Sequence, residues 1–205
     1  MLSVHRALAH LPLVLHTNAR RMLIIGLGSG TTPGAASLHS LETLRVVELS
    51  PSMLDAAALF VSGNYDVLAD GRAEVILGDG RQYLQLTSER YDGIESDVFK
   101  PRIAYSGYLY SADFYELARD RLAPGGVMAQ WLDTSLPEDL YKIHLRSFIA
   151  AFPNTTLWMD GQFAVGGGPD APGLEIDWRP AIAAVVDDVG RGTGAARVAG
   201  RFHRT

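Results

Sequence analysis

A glycine-rich loop follows the first apolar run of this 205-residue sequence. Glycines at such a point let the backbone turn tightly and approach a ligand closely. The loop reads GLGSG and consists of Gly26, Leu27, Gly28, Ser29 and Gly30. The pattern alone is weak, because dinucleotide sites and S-adenosylmethionine (SAM) sites share it, and a strand-to-helix turn without a ligand also fits it.

Two carboxylates make the interpretation of this loop more specific. Glu48, followed by Leu49, ends the next apolar run, where an acid can accept hydrogen bonds from both hydroxyls of a ribose. Asp79, followed by Gly80, ends the third run, where it can accept a hydrogen bond from an adenine amino group. A glycine loop and two acids in consecutive turns predict a site for an adenosine-containing ligand.

The elements that must position these residues alternate between short apolar runs and helical patterns, which is typical of a parallel sheet with crossover helices. The predicted strands cover residues 21–27, 45–49, 73–77, 92–96 and 126–132, and a closing hairpin covers 155–159 and 162–165 with its turn at Asp160–Gly161. The predicted helices cover residues 32–39, 51–61, 81–86, 112–122 and 137–152, with Ser50 as the N-cap of the second and Pro124–Gly125–Gly126 as the stop after the fourth.

This order of elements predicts an α/β fold of the Rossmann-like, class I SAM-dependent methyltransferase type. Its sheet has seven mostly parallel strands with an antiparallel last strand, and the ligand lies at the carboxyl ends of the strands. We expect residues 1–168 to form the nucleoside-binding domain. Residues 169–205 are expected to form a partly flexible C-terminal extension, because the periodic pattern fades there.

Composition and charge exclude several classes of partner. A net charge of −5 argues against nucleic acid, because phosphate backbones are bound by clustered Lys and Arg. The absence of cysteine excludes thiolate metal sites, and the histidines and acids lack metal-ligand spacing, so no metal is predicted. No apolar run approaches about 20 residues, and the start of the chain lacks the pattern of a signal peptide. We therefore expect a cytoplasmic protein that binds no membrane.

Four stretches resemble the spermidine synthase (polyamine aminopropyltransferase) family, and most of all its divergent bacterial spermidine-synthase-like branch. They are HRALAHLPLVLHTNARRMLIIGLGSG (5–30), RVVELSPSML (45–54), GDGRQYL (78–84) and LYSADFYELARDRLAPGGVMAQ (109–130). The resemblance implies transfer of an aminopropyl group from decarboxylated SAM, or binding of SAM itself, with methylthioadenosine as the product. The acceptor is then a small amine or polyamine.

The resemblance assigns the central chemical role to Asp97, in the stretch YDGIESDVFKP. It implies that Asp97 contacts the donor and orients and deprotonates the attacking amine, which is not a nucleophile while it is protonated. Tyr105 and Tyr108 follow this loop and are suited to an amine site through cation–π contact, although packing explains them equally well. Gln130, at the end of the fifth strand, is a third candidate for the acceptor site. His5 is a candidate for contact with the ligand.

Several positions depart from the family pattern. Ser29 and Lys100 stand where the family has acids, which makes ordinary SAM more plausible as a donor and a diamine less suitable as an acceptor. The sequence is also expected to lack the family's N-terminal β-domain, and a homodimer is one arrangement compatible with that absence. Two alternatives stay open: a SAM-dependent methyltransferase, and a non-catalytic homologue that binds the nucleoside without turnover.

Overall fold

The computed structural model describes residues 4–16, 18–98, 106–158 and 162–168. Within them, seven strands form one sheet in the order β3-β2-β1-β4-β5-β7-β6. The strands are β1 Arg21–Ile25, β2 Thr43–Glu48, β3 Ala73–Leu77, β4 Tyr91–Ser96, β5 Leu122–Trp131, β6 Thr156–Trp158 and β7 Phe163–Gly167. The first five strands pair in parallel, and β7 is antiparallel to both β5 and β6. The predicted fold class is confirmed.

Helices cover both faces of this sheet. They are α1 Val4–Leu15, α2 Thr31–Ser37, α3 Ser52–Ala58, α4 Val61–Asn64, α5 Gly80–Leu86, α6 Ala112–Asp120 and α7 Glu138–Ala151. On one face, Leu23 of β1 belongs to a buried cluster with Phe114 and Phe148 of α6 and α7. On the other face, Met22 packs in a cluster with Leu13 of α1. Successive side chains of β1 point to opposite faces of the sheet, so this strand contributes to the core on each face. No helix in the described part of the chain has the length and apolar character that crossing a membrane requires.

Three local expectations are wrong. The structure begins with α1, which the sequence did not predict because Pro12 and three polar residues interrupt its apolar pattern. The expected helix over residues 51–61 is divided into α3 and α4, and Pro51 rather than Ser50 is the N-cap of α3. The expected stop Pro124–Gly125–Gly126 lies inside β5, where the register with β4 shifts between Tyr91 and Gly93. The turn at Asp160–Gly161 and the extension 169–205 lie outside the described residues.

Helix α2 packs so closely on the end of α4 that one position of α2 admits only glycine. A Cβ atom on Gly34 would lie 2.2 Å from the backbone oxygen of Asn64. Since backbone cannot move away as a flexible side chain can, we expect Gly34→Ala to destabilise the protein by about 3 kcal/mol, measured by chemical denaturation. Gly63→Ala is the control, because nothing lies within 4 Å of its Cβ position. Equal stability of the two variants would contradict the close packing.

Candidate functional site

The glycine loop leaves the carboxyl end of β1 in a conformation that favours glycine. Gly26, Gly28 and Gly30 have φ angles of 104°, 53° and 81°, which L side chains rarely adopt. The amide of Gly26 donates to the carbonyl oxygen of Val47 at 2.8 Å, which ties the loop to β2. A Cβ on Gly26 would lie 3.3 Å from the backbone oxygen of Asp97. The loop therefore lies directly against the end of β4.

Glu48 connects the first two turns of this edge. One carboxylate oxygen accepts a hydrogen bond from the amide of Leu27, and the other accepts one from the amide of Ser50, each at 2.8 Å. The side chain is buried. Each oxygen has a further lone pair, so these contacts leave room for hydroxyl donors. The ribose-binding role stays a prediction, and the structure adds a second role, which is to fix the glycine loop relative to β2.

Asp79 and Gly80 lie at the end of β3 as expected. The carboxylate of Asp79 caps α5 by accepting a hydrogen bond from the amide of Gln82 at 2.8 Å. A Cβ on Gly80 would lie 2.4 Å from Cγ2 of Ile25, so this glycine serves the packing of α5 on β1. Leu49 presents an exposed side chain next to Glu48. An exposed apolar side chain beside an acid at this edge of the sheet is suited to pack against the base of a purine nucleoside.

Asp97 lies at the carboxyl end of β4, and its side chain is held from two directions. Its Oδ2 accepts a hydrogen bond from the hydroxyl of Thr32 in α2 at 2.7 Å, and Nδ1 of His5 in α1 is 2.7 Å from the same oxygen. The other oxygen, Oδ1, is buried and has no hydrogen-bond partner among the described residues. The amide of Asp97 donates to the carbonyl of Ile25. One carboxylate oxygen is thus anchored, and the other is left to meet a ligand.

The electrostatics of the His5–Asp97 pair favour a charged imidazole. The hydrogen bond to Asp97 raises the pKa of His5, partial burial lowers it, and the negative charge of Asp97 adds to the increase, so the net direction is upward. The side chain of His5 is 34% exposed, whereas that of Asp97 is 10% exposed. A charged imidazole strengthens the hydrogen bond that fixes Oδ2 of Asp97, so Oδ1 remains the oxygen that can meet a ligand.

A second acid on β4 was not predicted as part of the site. Glu95 is fully buried, and neither of its carboxylate oxygens has a partner among the described residues. Burial raises its pKa well above the usual range, and the charge of Asp97 raises it further. Side chains two residues apart on a strand share a face, so the signal in the sequence was an acid two positions before Asp97 in an otherwise apolar run. The raised pKa favours the protonated, neutral form of Glu95, which lies beneath the site.

Of the three expected acceptor residues, Tyr108 and Gln130 lie in the described part of the chain. Tyr105 lies outside the described residues. Tyr108 is exposed, whereas Tyr110, two positions later in the same short 3-10 helix, Gly107–Tyr110, is buried. Gln130 is fully buried, and its amide nitrogen lies within hydrogen-bond distance of the carbonyls of Ser96 and Trp131. Gln130 lies at the end of β5 as expected, but its role as an acceptor ligand stays a prediction.

The sequence also missed Thr32, whose hydroxyl contacts Asp97. A threonine two positions after the last glycine of the loop was the available signal, since α2 begins there. His10, the second histidine of α1, is buried and hydrogen-bonds His39 through the two rings at 2.8 Å. Within the described residues, no three His, Cys, Asp or Glu side chains are grouped so that they could hold a metal ion.

Comparison with known proteins assigns the chain to a family. Residues 1–156, about three quarters of the chain, match the spermine/spermidine synthase domain. The chain belongs to this family. The resemblance found in the sequence motifs is confirmed.

Members of the spermine/spermidine synthase family match the chain over part of their length. The chain is 29% identical over 157 residues to the polyamine aminopropyltransferase of Thermotoga maritima, covering 76% of this chain and 53% of that protein. It is 34% identical over 129 residues to polyamine aminopropyltransferase 1 of Pseudomonas aeruginosa, covering 60% and 44%. The chain thus spans about half the length of the curated relatives that it matches.

Solved structures show the same relationship at the level of the fold. A spermidine synthase in complex with the transition-state analogue AdoDATO superposes with a TM-score of 0.74 at 26% identity, covering 82% of this chain and 61% of that one. Human methyltransferase-like protein 13, in complex with SAH, has a TM-score of 0.65 at 21% identity, covering 91% and 90%. The second likeness shows the shared fold alone.

Proposed function

We propose that this chain transfers an aminopropyl group from decarboxylated SAM to a small amine and releases methylthioadenosine, with Asp97 as the base. The observation that carries the proposal is the state of the Asp97 carboxylate. One oxygen is fixed by Thr32 and His5, and the other is buried at the end of β4 with no hydrogen-bond partner among the residues that the structure describes. Aminopropyl transfer by relatives that share the family's domain supports the same reaction.

The reaction needs one group that accepts a proton. The lone pair of the amine nitrogen attacks the carbon next to the sulfonium, a C–N bond forms, and the C–S bond breaks with its electrons going to sulfur. Methylthioadenosine leaves as a neutral thioether and needs no acid. The nitrogen carries one proton too many, and the free oxygen of Asp97 is suited to take it. The same carboxylate would also align the amine with the carbon that it attacks, and such positioning supplies a large share of the rate enhancement.

The donor is proposed to bind across the three turns already described. Glu48 would hold the ribose hydroxyls, Asp79 would hold the adenine amino group, and Leu49 would cover the ring. The glycine loop, with Ser29 just before its last glycine, would lie along the part of the donor that carries sulfur. A matching spermidine synthase is solved with the transition-state analogue AdoDATO, which supports a ligand of the SAM type at this edge.

The proposal is tested by identifying the nucleoside that the protein produces. The chain is incubated with SAM or decarboxylated SAM, with and without a panel of polyamines, and the products are identified by mass spectrometry. We expect methylthioadenosine only when decarboxylated SAM and an amine are both present. Asp97→Asn in the same assay controls for breakdown of the donor in solution.

Two results would overturn the proposed transfer. S-adenosylhomocysteine formed from SAM would make the chain a methyltransferase, the alternative that Ser29 in place of an acid favours. Binding of either donor without any product, at every amine tested, would support a non-catalytic nucleoside-binding protein. The methyltransferase outcome would also be visible as a methylated acceptor in the same spectra.

A further inference from the structure

Asn64, at the end of α4, is tied to the glycine loop although 34 residues separate it from Gly30. Its Nδ2 donates to the carbonyl of Ser29 at 2.9 Å and to the carbonyl of Ala57 at 2.8 Å. Its Oδ1 accepts from the amide of Asp66 at 3.1 Å. The side chain is buried, and both amide hydrogens and the amide oxygen are used. The geometry also fixes which end of the amide is nitrogen, because two carbonyls face it.

The hydrogen bond from Asn64 to the carbonyl of Ser29 helps to fix the orientation of one peptide group of the loop. The Ser29–Gly30 peptide has its N–H bonded to the carbonyl of Leu27 at 2.8 Å and its C=O bonded to Asn64. With both polar groups of the peptide held, its plane cannot rotate without breaking a hydrogen bond. In the described part of the chain, the amides of Gly28 and Ser29 have no backbone or side-chain acceptor. These are the donors that a fixed loop would present to a ligand.

Packing limits the space around this contact. A Cβ on Gly30 would lie 2.8 Å from Nδ2 of Asn64, and a Cβ on Gly34 would lie 2.2 Å from the Asn64 backbone oxygen. Asn64 is followed by Tyr65 and Asp66, both with φ near 54°, a conformation that costs free energy for residues other than glycine. A segment kept in this costly conformation brings the Asn64 amide against the loop.

We infer that Asn64 is a positioning residue for the nucleoside site, which holds the Ser29–Gly30 peptide in the orientation that binds the donor. The nucleoside-binding and kinetic parts of this inference rest on the proposed function, whereas the fixation of the loop does not. Loss of the Asn64 amide should free the loop peptide and weaken the binding of the nucleoside. The chemical step, which depends on Asp97 at the neighbouring strand, should change much less.

The test compares three variants of the full chain. Asn64→Ala removes the hydrogen bonds, and Asn64→Asp keeps the shape but turns an oxygen toward the carbonyls of Ser29 and Ala57. Val67→Ala is the matched control, because Val67 begins the short helix three residues after Asn64, and its truncation removes buried apolar volume without removing a hydrogen bond to the loop. Calorimetry measures the Kd for methylthioadenosine, thermal melting measures stability, and amide hydrogen exchange is followed in residues 26–30.

We expect both Asn64 variants to weaken methylthioadenosine binding by about tenfold and to raise the KM for the donor to a similar extent, with kcat changed less than about twofold. Exchange at the Gly30 amide should become at least about tenfold faster in both Asn64 variants and stay unchanged in Val67→Ala. Asn64→Ala with lowered melting temperature but unchanged Kd and unchanged exchange would overturn the inference. So would tolerance of Asn64→Asp, since it would reduce Asn64 to a space-filling residue.

Failure of the proposed function has a different outcome. If the unmodified chain binds methylthioadenosine but transfers no aminopropyl group, the proposed reaction is wrong, and the Kd comparison still decides the role of Asn64. If the unmodified chain binds no nucleoside, the exchange comparison decides whether Asn64 fixes the loop: faster exchange at Gly30 supports that role, and unchanged exchange contradicts it.

Discussion

Replacing Asp97 by asparagine is expected to lower kcat for aminopropyl transfer by at least about 100-fold, the usual contribution of a positioned base. Asparagine has the shape of aspartate, and its amide oxygen can still accept the hydrogen bond from Thr32. It cannot take a proton from the amine. The Kd for methylthioadenosine and the melting temperature should therefore change little, and steady-state kinetics with calorimetry checks both.

The control for the Asp97 variant is Asp113→Asn. Asp113 is an exposed acid at the start of α6, and its distant ion pair with Arg81 lies on the surface. We expect this variant to keep the activity of the unmodified chain, because exposed pairs contribute little. Turnover of Asp97→Asn at the unmodified rate would show that another group accepts the proton or that the amine reaches the site already neutral.

The fold followed from the sequence because its signals are local. β3 was predicted at its observed bounds, and the ends of β1, β2 and β4 were within two residues, since apolar runs of this length flanked by turn residues identify buried strands. Helix α1 was missed for an equally local reason, because Pro12 lies inside it. What holds α1 is packing on the sheet, where Leu13 is buried, and no local pattern reports that contact.

The sequence predicted which turns form the site, but not the long-range contacts that hold its side chains. Parallel strands end at one edge, so Glu48, Asp79 and Asp97 had to lie at the same edge. The contact of His5 with Asp97 joins residues 92 positions apart and depends on how α1 lies across β4, which no spacing rule gives. The same holds for Asn64, whose partner Ser29 is 35 positions away. Long-range contacts that hold the reacting groups were the part that required the structure.

Glu95 is the position where a substitution is expected to increase stability most. Its neighbours in register on β1 and β5 are Ile24 and Ala129, both buried in apolar clusters, so its carboxyl group has no partner in the described structure. Burying a polar group without a hydrogen bond costs about 2 kcal/mol. We expect Glu95→Ile to raise the free energy of unfolding at pH 7 by about that amount, and Tm by about 4–8 °C.

The gain from Glu95→Ile should depend on pH in a defined direction. Burial raises the pKa of Glu95 in the folded chain above the ordinary value of 4.5, so the folded state keeps a proton that the unfolded state releases. Stability of the unmodified chain therefore falls as the pH rises above about 4.5, until the folded pKa is passed. Glu95→Ile lacks this dependence. Its advantage should be smallest near pH 4 and grow toward neutral pH, which denaturation at a series of pH values measures.

Glu95→Gln separates the effect of titration on stability from the effect of burying a polar group. Glutamine has no charge to lose, so the pH dependence should disappear as it does with isoleucine, but its amide remains a buried polar group among apolar neighbours. The gain at pH 7 should therefore be smaller than that of Glu95→Ile. If Glu95→Ile instead destabilised the chain at every pH, the carboxyl group would have to make a favourable contact in the folded protein.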